Sequence, residues 1–104
     1  MTKILISFIF FLLSPFLQSK DIILENIRIA DNFKENSSRI VLDLSHKVPY
    51  SVFILNNKPR LVIDLEVEKY KNINNDPTKL IKNIRIRKTE KSVLRIVFDL
   101  NQNA

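Results

Sequence analysis

The 104-residue sequence contains no cysteine and no glycine, and it has one histidine. Without cysteine, the chain can form no disulfide, no thiolate metal site and no cysteine nucleophile. A zinc site of nitrogen and oxygen ligands usually recruits two or more histidines, so the single His46 does not predict a metal site. We expect His46 to lie in a solvent-exposed loop and the fold to rest on packing alone.

Catalytic patterns are also lacking. The sequence has no histidine pair, no activated nucleophile and no glycine-rich phosphate loop, which are the usual marks of hydrolytic, covalent and nucleotide-dependent sites. We therefore predict that the chain is not an enzyme and binds no metal or cofactor.

The most informative feature that is present is a six-residue phrase, which occurs three times with Arg first and Asp fifth. Its copies span residues 39–44, 60–65 and 95–100. Side chains alternate between the two faces of a strand, so positions two, four and six form an apolar face, while Arg, Val and Asp share the other. Three half-buried strands of this kind predict an all-β fold, a small antiparallel sandwich or barrel-like domain.

The charges of the phrase predict how its copies pair. In antiparallel pairing about the central Val, each Arg lies opposite the Asp of the partner strand, whereas parallel pairing would set Arg against Arg. We expect antiparallel pairing, with residues 39–44 beside 60–65 so that Arg39 faces Asp64. The residues to which we assign this structural role are Arg39, Asp43, Arg60, Asp64, Arg95 and Asp99.

The phrase belongs to a larger internal duplication. Residues 26–29 and 39–44 recur as 83–86 and 95–100, at offsets of 57 and 56. We predict a first repeat over about 22–65, a connector over 66–80, and an incomplete second repeat over about 81–100.

The remaining segments predict the other elements. Residues 22–30 alternate weakly and predict a strand, and residues 50–55 are apolar at alternate positions of both faces, which predicts a strand covered on both sides. Asn56 and Asn57 are expected to supply left-handed turn conformations in place of glycine. Asp76 is expected to cap a short helical turn that ends near Leu80.

The first 19 residues have the three parts of a secretory signal peptide. Lys3 precedes an apolar run, and small Ser19 precedes the predicted cleavage position. The apolar span of residues 4–17 is 14 residues long, short of the roughly 20 that cross a bilayer. We predict export to the periplasm and a mature domain over 20–104. An uncleaved anchor is the alternative, and it is the one predicted route to a membrane.

The mature chain would carry 16 basic and 11 acidic residues, because removal of residues 1–19 takes away only Lys3. A net charge of +5 favours an anionic partner. Nucleic acid is not expected, because the basic residues are spread over the strands and do not cluster with aromatics.

Four short motifs together resemble the AMIN domain, the non-catalytic module at the N-terminus of periplasmic N-acetylmuramoyl-L-alanine amidases. They lie at residues 26–29, 38–44, 48–55 and 57–65, and the resemblance covers about 22–100. It implies an all-β domain that binds peptidoglycan and directs its enzyme to the division septum. The zinc-dependent amidase domain that normally follows has no counterpart in this sequence.

Candidate ligand contacts follow from the chemistry of such a ligand, since aromatic faces suit sugar rings and charged groups suit an acidic peptide stem. The candidates are Arg28, Tyr50, Arg85, Arg87 and Lys88. The alternative function is an envelope protein-interaction module, of the secretin or pilus-assembly kind, that pairs an exposed strand edge with an envelope or division protein. A peptidoglycan module should bind sacculi, whereas an assembly module should bind a protein partner.

Overall fold

The computed structural model describes residues 3–10, 21–32, 34–71, 73, 77–90 and 92–101, and all its regular elements are strands. The prediction of an all-β fold is therefore confirmed. The strands, in chain order, are β1 (Lys3–Phe10), β2 (Ile23–Asn32), β3 (Ser37–Leu44), β4 (Tyr50–Leu55), β5 (Arg60–Leu65), β6 (Lys69–Tyr70), β7 (Ile81–Glu90) and β8 (Val93–Leu100).

The strands form two four-stranded sheets. The first has the order β1-β3-β2-β6 and is mixed, because β1 runs parallel to β3 and β6 runs parallel to β2. The second has the order β4-β5-β8-β7, and every neighbouring pair in it is antiparallel. We call them sheet A and sheet B.

The two sheets bury one apolar core between them. Its largest fully buried side chain is Phe98 of β8, and Ile40 of β3 and Ile63 of β5 are also fully buried within it. In β3, β5 and β8, positions two, four and six of the repeated phrase all lie in this core. The alternation of the phrase thus sets which face of each strand is buried.

Two copies of the phrase pair as the charges predict. Strand β5 is antiparallel to β8, with Arg60 opposite Asp99, Val62 opposite Val97 and Asp64 opposite Arg95. The first copy does not join them. Strand β3 lies in sheet A between β1 and β2, so the prediction that Arg39 faces Asp64 is wrong.

Strand β4 differs from the prediction in its burial. It lies at one edge of sheet B, and all six of its residues are exposed. Both faces were expected to be covered. Tyr50, Val52 and Ile54 lie on the core-facing side of the sheet, because their partners Leu65, Ile63 and Leu61 are buried in the core. Sheet A leaves most of this side of β4 open.

The turns also differ in detail. Asn36, between β2 and β3, has a φ of 53°, and no other described residue has positive φ. A glycine-free chain thus uses asparagine here, which tolerates the left-handed region. The prediction of left-handed conformations at Asn56 and Asn57 is wrong. Residues 77–80 contain no helical turn, and only residues 79 and 80 form a bend. The predicted cap Asp76 lies outside the described residues.

Strand β1 lies within the predicted signal peptide. Its eight residues pair in register with the eight of β3, from Lys3 opposite Ser37 to Phe10 opposite Leu44. Ile4, Ile6 and Phe8 pack against the core. The predicted cleavage position after Ser19 lies outside the described residues. The described part of the chain includes no helix long and apolar enough to cross a membrane.

Candidate functional site

The outer face of sheet B carries the largest set of chemically distinctive side chains. Its positions are ordered in three rows across the four strands. The first row reads Leu55, Arg60, Asp99, Asn83; the second reads Phe53, Val62, Val97, Arg85; the third reads Ser51, Asp64, Arg95, Arg87. We call this surface the arginine face, because it holds four arginines and two aspartates.

Ion pairs fix three of the four arginines. Arg95 donates two hydrogen bonds to the carboxylate of Asp64, at 2.8 and 2.9 Å. Arg85 donates two to Asp99, at 3.0 and 2.8 Å, and Arg60 approaches Asp99 at 3.6 Å. Such bidentate pairs hold guanidinium planes in defined orientations. The two bidentate pairs therefore fix the orientations of Arg85 and Arg95.

Arg87 is the exception. It lies directly opposite Arg95 on the neighbouring strand, and it makes no ion pair with any described residue. Like charges directly opposite each other destabilise a sheet, and Asp64 is already held by Arg95. A carboxylate bound beside Arg87 would relieve this repulsion. The arrangement is therefore suited to an anionic ligand.

An aromatic side chain lies beside these cations. Phe53 of β4 is exposed, and the guanidinium carbon of Arg95 lies 5.8 Å from the centre of its ring. Phe53 and the arginines line a shallow cavity of about 190 Å³. Toward the Asp99 end, the surface continues into a wider depression of about 750 Å³ whose lining includes Lys58 and Lys82. An extended anionic chain could thus contact cations along the whole face.

The pKa of Asp64 reflects this geometry. The hydrogen bonds from Arg95 lower the pKa of Asp64 below its ordinary value, and the positive charge of Arg95 acts in the same direction against partial burial. Because the folded-state pKa is lower than the unfolded one, the ionised carboxylate stabilises the fold above the unfolded value. That contribution is lost as the pH falls through the folded value.

We expect Asp64→Asn to lower the melting temperature at pH 7 by about 4 °C, the size typical of one partly exposed ion pair in a small domain. The difference from the unaltered chain should shrink as the pH falls below about 4, where free aspartate becomes protonated. Thermal melts at pH 7, 5 and 3 measure this. Glu35→Gln, at an exposed turn position, controls for the loss of one negative charge. A difference that is equally large at pH 3 would contradict the assignment.

The structure brings together only two of the five predicted ligand residues, Arg85 and Arg87. Arg28 lies on the outer face of sheet A, where it donates a hydrogen bond of 2.8 Å to Asp43. Tyr50 lies on the core-facing side of β4, with its ring 4.3 Å from that of Phe8. Lys88 lies opposite Leu94, on the core-facing side of β7. These three are not part of the arginine face.

Sequence reasoning missed three members of the face as ligand candidates. Arg60 and Arg95 were assigned to strand pairing alone, and they do lie opposite Asp99 and Asp64. Their exposed donors nevertheless belong to the same surface as Arg87. Phe53 was expected to be covered. Alternation could have found Arg60 and Arg95, because each occupies the polar side of its strand. Phe53 joins their face only through the register of β4 with β5, which the sequence did not indicate.

No group of three or more potential metal ligands is present among the described residues. His46 contacts Ser45 through its Nδ1, at 2.8 Å from the hydroxyl oxygen, and is partly buried. His46 lies just after β3, and it is not among the residues whose register places them on the arginine face. The arginine face itself offers charge, hydrogen-bond donors and the apolar ring of Phe53.

Comparison with known families gives one match. The AMIN domain matches residues 26–104, which is most of the chain. AMIN domains are generally modules that bind peptidoglycan or target proteins to it. A search of curated proteins finds no match.

Proposed function

The chain belongs to the AMIN domain family, and from that premise we propose that it is a non-catalytic module that binds peptidoglycan through the arginine face. The observation that carries the proposal is the pair Arg87 and Arg95, two arginines opposite each other on adjacent strands, of which only Arg95 is bound by a carboxylate, that of Asp64. A carboxylate of the acidic peptide stem of peptidoglycan would supply the ion-pair partner that Arg87 lacks among the described residues.

The rest of the face suits the same polymer. Sugar rings present apolar faces that pack on aromatic side chains, and Phe53 offers an exposed ring beside Arg95. Arg60 and Arg85 share the carboxylate of Asp99, so the face has four cations for two anions. That excess attracts a polyanion along the length of the sheet.

The wider setting of this function is proposed from the sequence. The predicted signal peptide and the kinds of protein that AMIN domains occur in favour the periplasm. We propose that the module holds an N-acetylmuramoyl-L-alanine amidase on the cell wall during division, as the resemblance implies. The chain contributes attachment in this scheme and leaves catalysis to the amidase.

Co-sedimentation with purified peptidoglycan sacculi tests the proposal. We expect the unaltered chain to sediment with sacculi, and Arg87→Glu to weaken that binding about tenfold, because one charge-assisted contact is replaced by a repulsive one. The substitution should not unfold the chain, since it removes the repulsion between Arg87 and Arg95. Binding should also weaken as salt is raised, because the contacts are between exposed charges.

Arg39→Glu is the matched control. Arg39 is exposed on β3 and makes no ion pair with any described residue, but it lies in sheet A. The same charge reversal there should leave sedimentation unchanged. Equal losses in the two variants would show that net charge alone drives binding, and unaltered binding in both would remove the arginine face from the site. Absence of binding by the unaltered chain would refute the proposed function.

The alternative predicted from the sequence is strand pairing with another protein. It is supported by Arg39 of β3, which faces Leu5 of β1 and forms no ion pair with a described residue.

A further inference from the structure

The two sheets contain hairpins of the same design. In sheet B, β7 pairs with β8 so that Asn83 faces Asp99 and Arg85 faces Val97. In sheet A, β2 pairs with β3 so that Asn26 faces Asp43 and Arg28 faces Val41. Each hairpin has a register shift just before its asparagine. Strand β3 thus stands in sheet A where β8 stands in sheet B.

The strands beside these hairpins are different. In sheet B, β8 is followed outward by the antiparallel strand β5 and then by β4. In sheet A, β3 is followed outward only by β1, which is parallel, and no further described strand lies beyond it. The position that β5 occupies in sheet B is therefore filled in sheet A by a strand of opposite direction.

The charged residues of β3 are complementary to those of a strand like β5, and β1 offers them no charged partner. Asp99 accepts hydrogen bonds from Arg85 within its hairpin and faces Arg60 of β5 across the next pair. Asp43 likewise accepts a hydrogen bond from Arg28, but its neighbour in β1 is Ile9.

Arg39, at the other end of the six-residue phrase, also faces an uncharged residue of β1. Its counterpart Arg95 is bound by Asp64 of β5, whereas Arg39 faces Leu5 of β1. Arg39 forms no ion pair with the described residues. The edge of β3 thus lacks one arginine opposite Asp43 and one aspartate opposite Arg39, in the order that an antiparallel strand would supply them.

Among the described strands, sheet A also has no counterpart of β4, the second strand beyond β8 in sheet B. Val52 and Ile54 of β4 point to the core side of sheet B but remain exposed, Ile54 at 62%. The ring of Phe8 packs against Tyr50 at the start of that strand. A two-stranded hairpin docked on β3 would cover what β1 leaves open, because its outer strand would extend sheet A over β4.

We propose that the edge of β3 that β1 covers is an acceptor site for a β-hairpin of another protein. This hairpin pairs antiparallel with β3 in place of β1, which it displaces from the full chain and which is already absent after cleavage of the predicted signal peptide. The inner strand of this partner hairpin carries Arg opposite Asp43 and Asp opposite Arg39, with apolar residues between them at alternate positions. Main-chain hydrogen bonds supply affinity in such strand addition, and side chains supply specificity. The acceptor edge is in sheet A, so it is separate from the arginine face.

A peptide of residues 49–66 is the probe, because it contains a hairpin of the required pattern. Its fluorescence anisotropy is measured with the full chain carrying Ile6→Asp, which places a charge on the core-facing side of β1 and releases that strand. The control chain carries Ser7→Asp, the same added charge on the adjacent residue. Since β1 is an intramolecular competitor, we expect the peptide to bind the Ile6→Asp chain about tenfold more tightly than the control.

Charge exchange tests the register. A peptide with Arg60 and Asp64 exchanged has the same composition but opposes like charges to Asp43 and Arg39, so we expect it to bind about tenfold more weakly. Arg39→Asp in the chain should restore the affinity of a peptide that carries Asp64→Arg. Equal binding of the original and exchanged peptides would overturn the proposal, because association would then be independent of the charges of β3.

Hydrogen exchange on the unaltered full chain covers the case in which Ile6→Asp unfolds, as judged by circular dichroism. With saturating peptide, the amides of β1 should lose protection while those of β3 retain it. Protection of β1 that is unchanged by the peptide would overturn the proposal independently of any substitution. Sacculus binding by the arginine face is unaffected by either outcome, so the two proposals fail separately.

Discussion

Phe98→Ala should lower the free energy of unfolding by about 3 to 5 kcal/mol, a large fraction of the stability of a small domain. Phe98 is fully buried, and it lies between Leu61 of β5 and Ile84 of β7 in the core-facing layer of sheet B. Truncation would leave a cavity at the centre of sheet B, in which every neighbouring pair of strands is antiparallel. Domains of this size have about 5 to 15 kcal/mol in total, so the variant should be largely unfolded on mild heating.

Phe53→Ala is the matched control for that result. The side-chain change is identical, but Phe53 is 39% exposed on the outer face of β4, so the free energy of unfolding should fall by only about 1 kcal/mol. Urea titration followed by circular dichroism compares the two. Similar losses in both variants would show that the core does not lie between the sheets as described. Under the proposed function, Phe53→Ala should still weaken sacculus binding, which separates the core phenylalanine from the surface one.

The burial pattern of the strands could be predicted because it depends on alternation alone. Each copy of the repeated phrase places Ile, Leu, Val or Phe at positions two, four and six, and these residues are buried in β3, β5 and β8 alike. A shift by one residue would expose all three and bury Arg and Asp instead. The free energy of burial therefore fixes the face of each strand without knowledge of its neighbours.

The choice of strand partners could not be predicted in the same way. All three copies carry the same charges, so the antiparallel register satisfies any pair of them equally well. What separates β3 from β5 and β8 is topology, because β3 forms its hairpin with β2 in the other sheet. Such a choice depends on how both sheets close over one core, and the six-residue pattern carries no information about that.

The candidate site was predictable only where it depended on alternation within one strand. Arg85 and Arg87 are two residues apart in β7 and share a face. Arg28 was grouped with them by its equivalent place in the sequence, yet its strand lies in sheet A. The exposure of Phe53 depends on β4 being an edge strand, which its own apolar composition did not indicate.

The strongest test of the observed pairing exchanges the charges of Asp64 and Arg95. Each single change, Asp64→Arg or Arg95→Asp, sets like charges opposite each other between β5 and β8, and we expect each to lower the melting temperature by about 5 to 10 °C. The double variant restores an opposite-charge pair in the same register and should melt within about 3 °C of the unaltered chain. Thermal melts of the four chains at low salt measure the coupling.

The matched comparison replaces Arg95→Asp by Arg39→Asp in the double variant. Because Arg39 lies in the other sheet, it cannot reach the arginine introduced at position 64, and no recovery of the melting temperature is expected. Recovery with Arg39→Asp but not with Arg95→Asp would mean that β3 and β5 are neighbours, as the charges alone had suggested. Recovery with Arg95→Asp alone would show that β5 pairs with β8 in the observed register, and the pairing of β7 with the other edge of β8 then places Arg87 beside Arg95 on the arginine face.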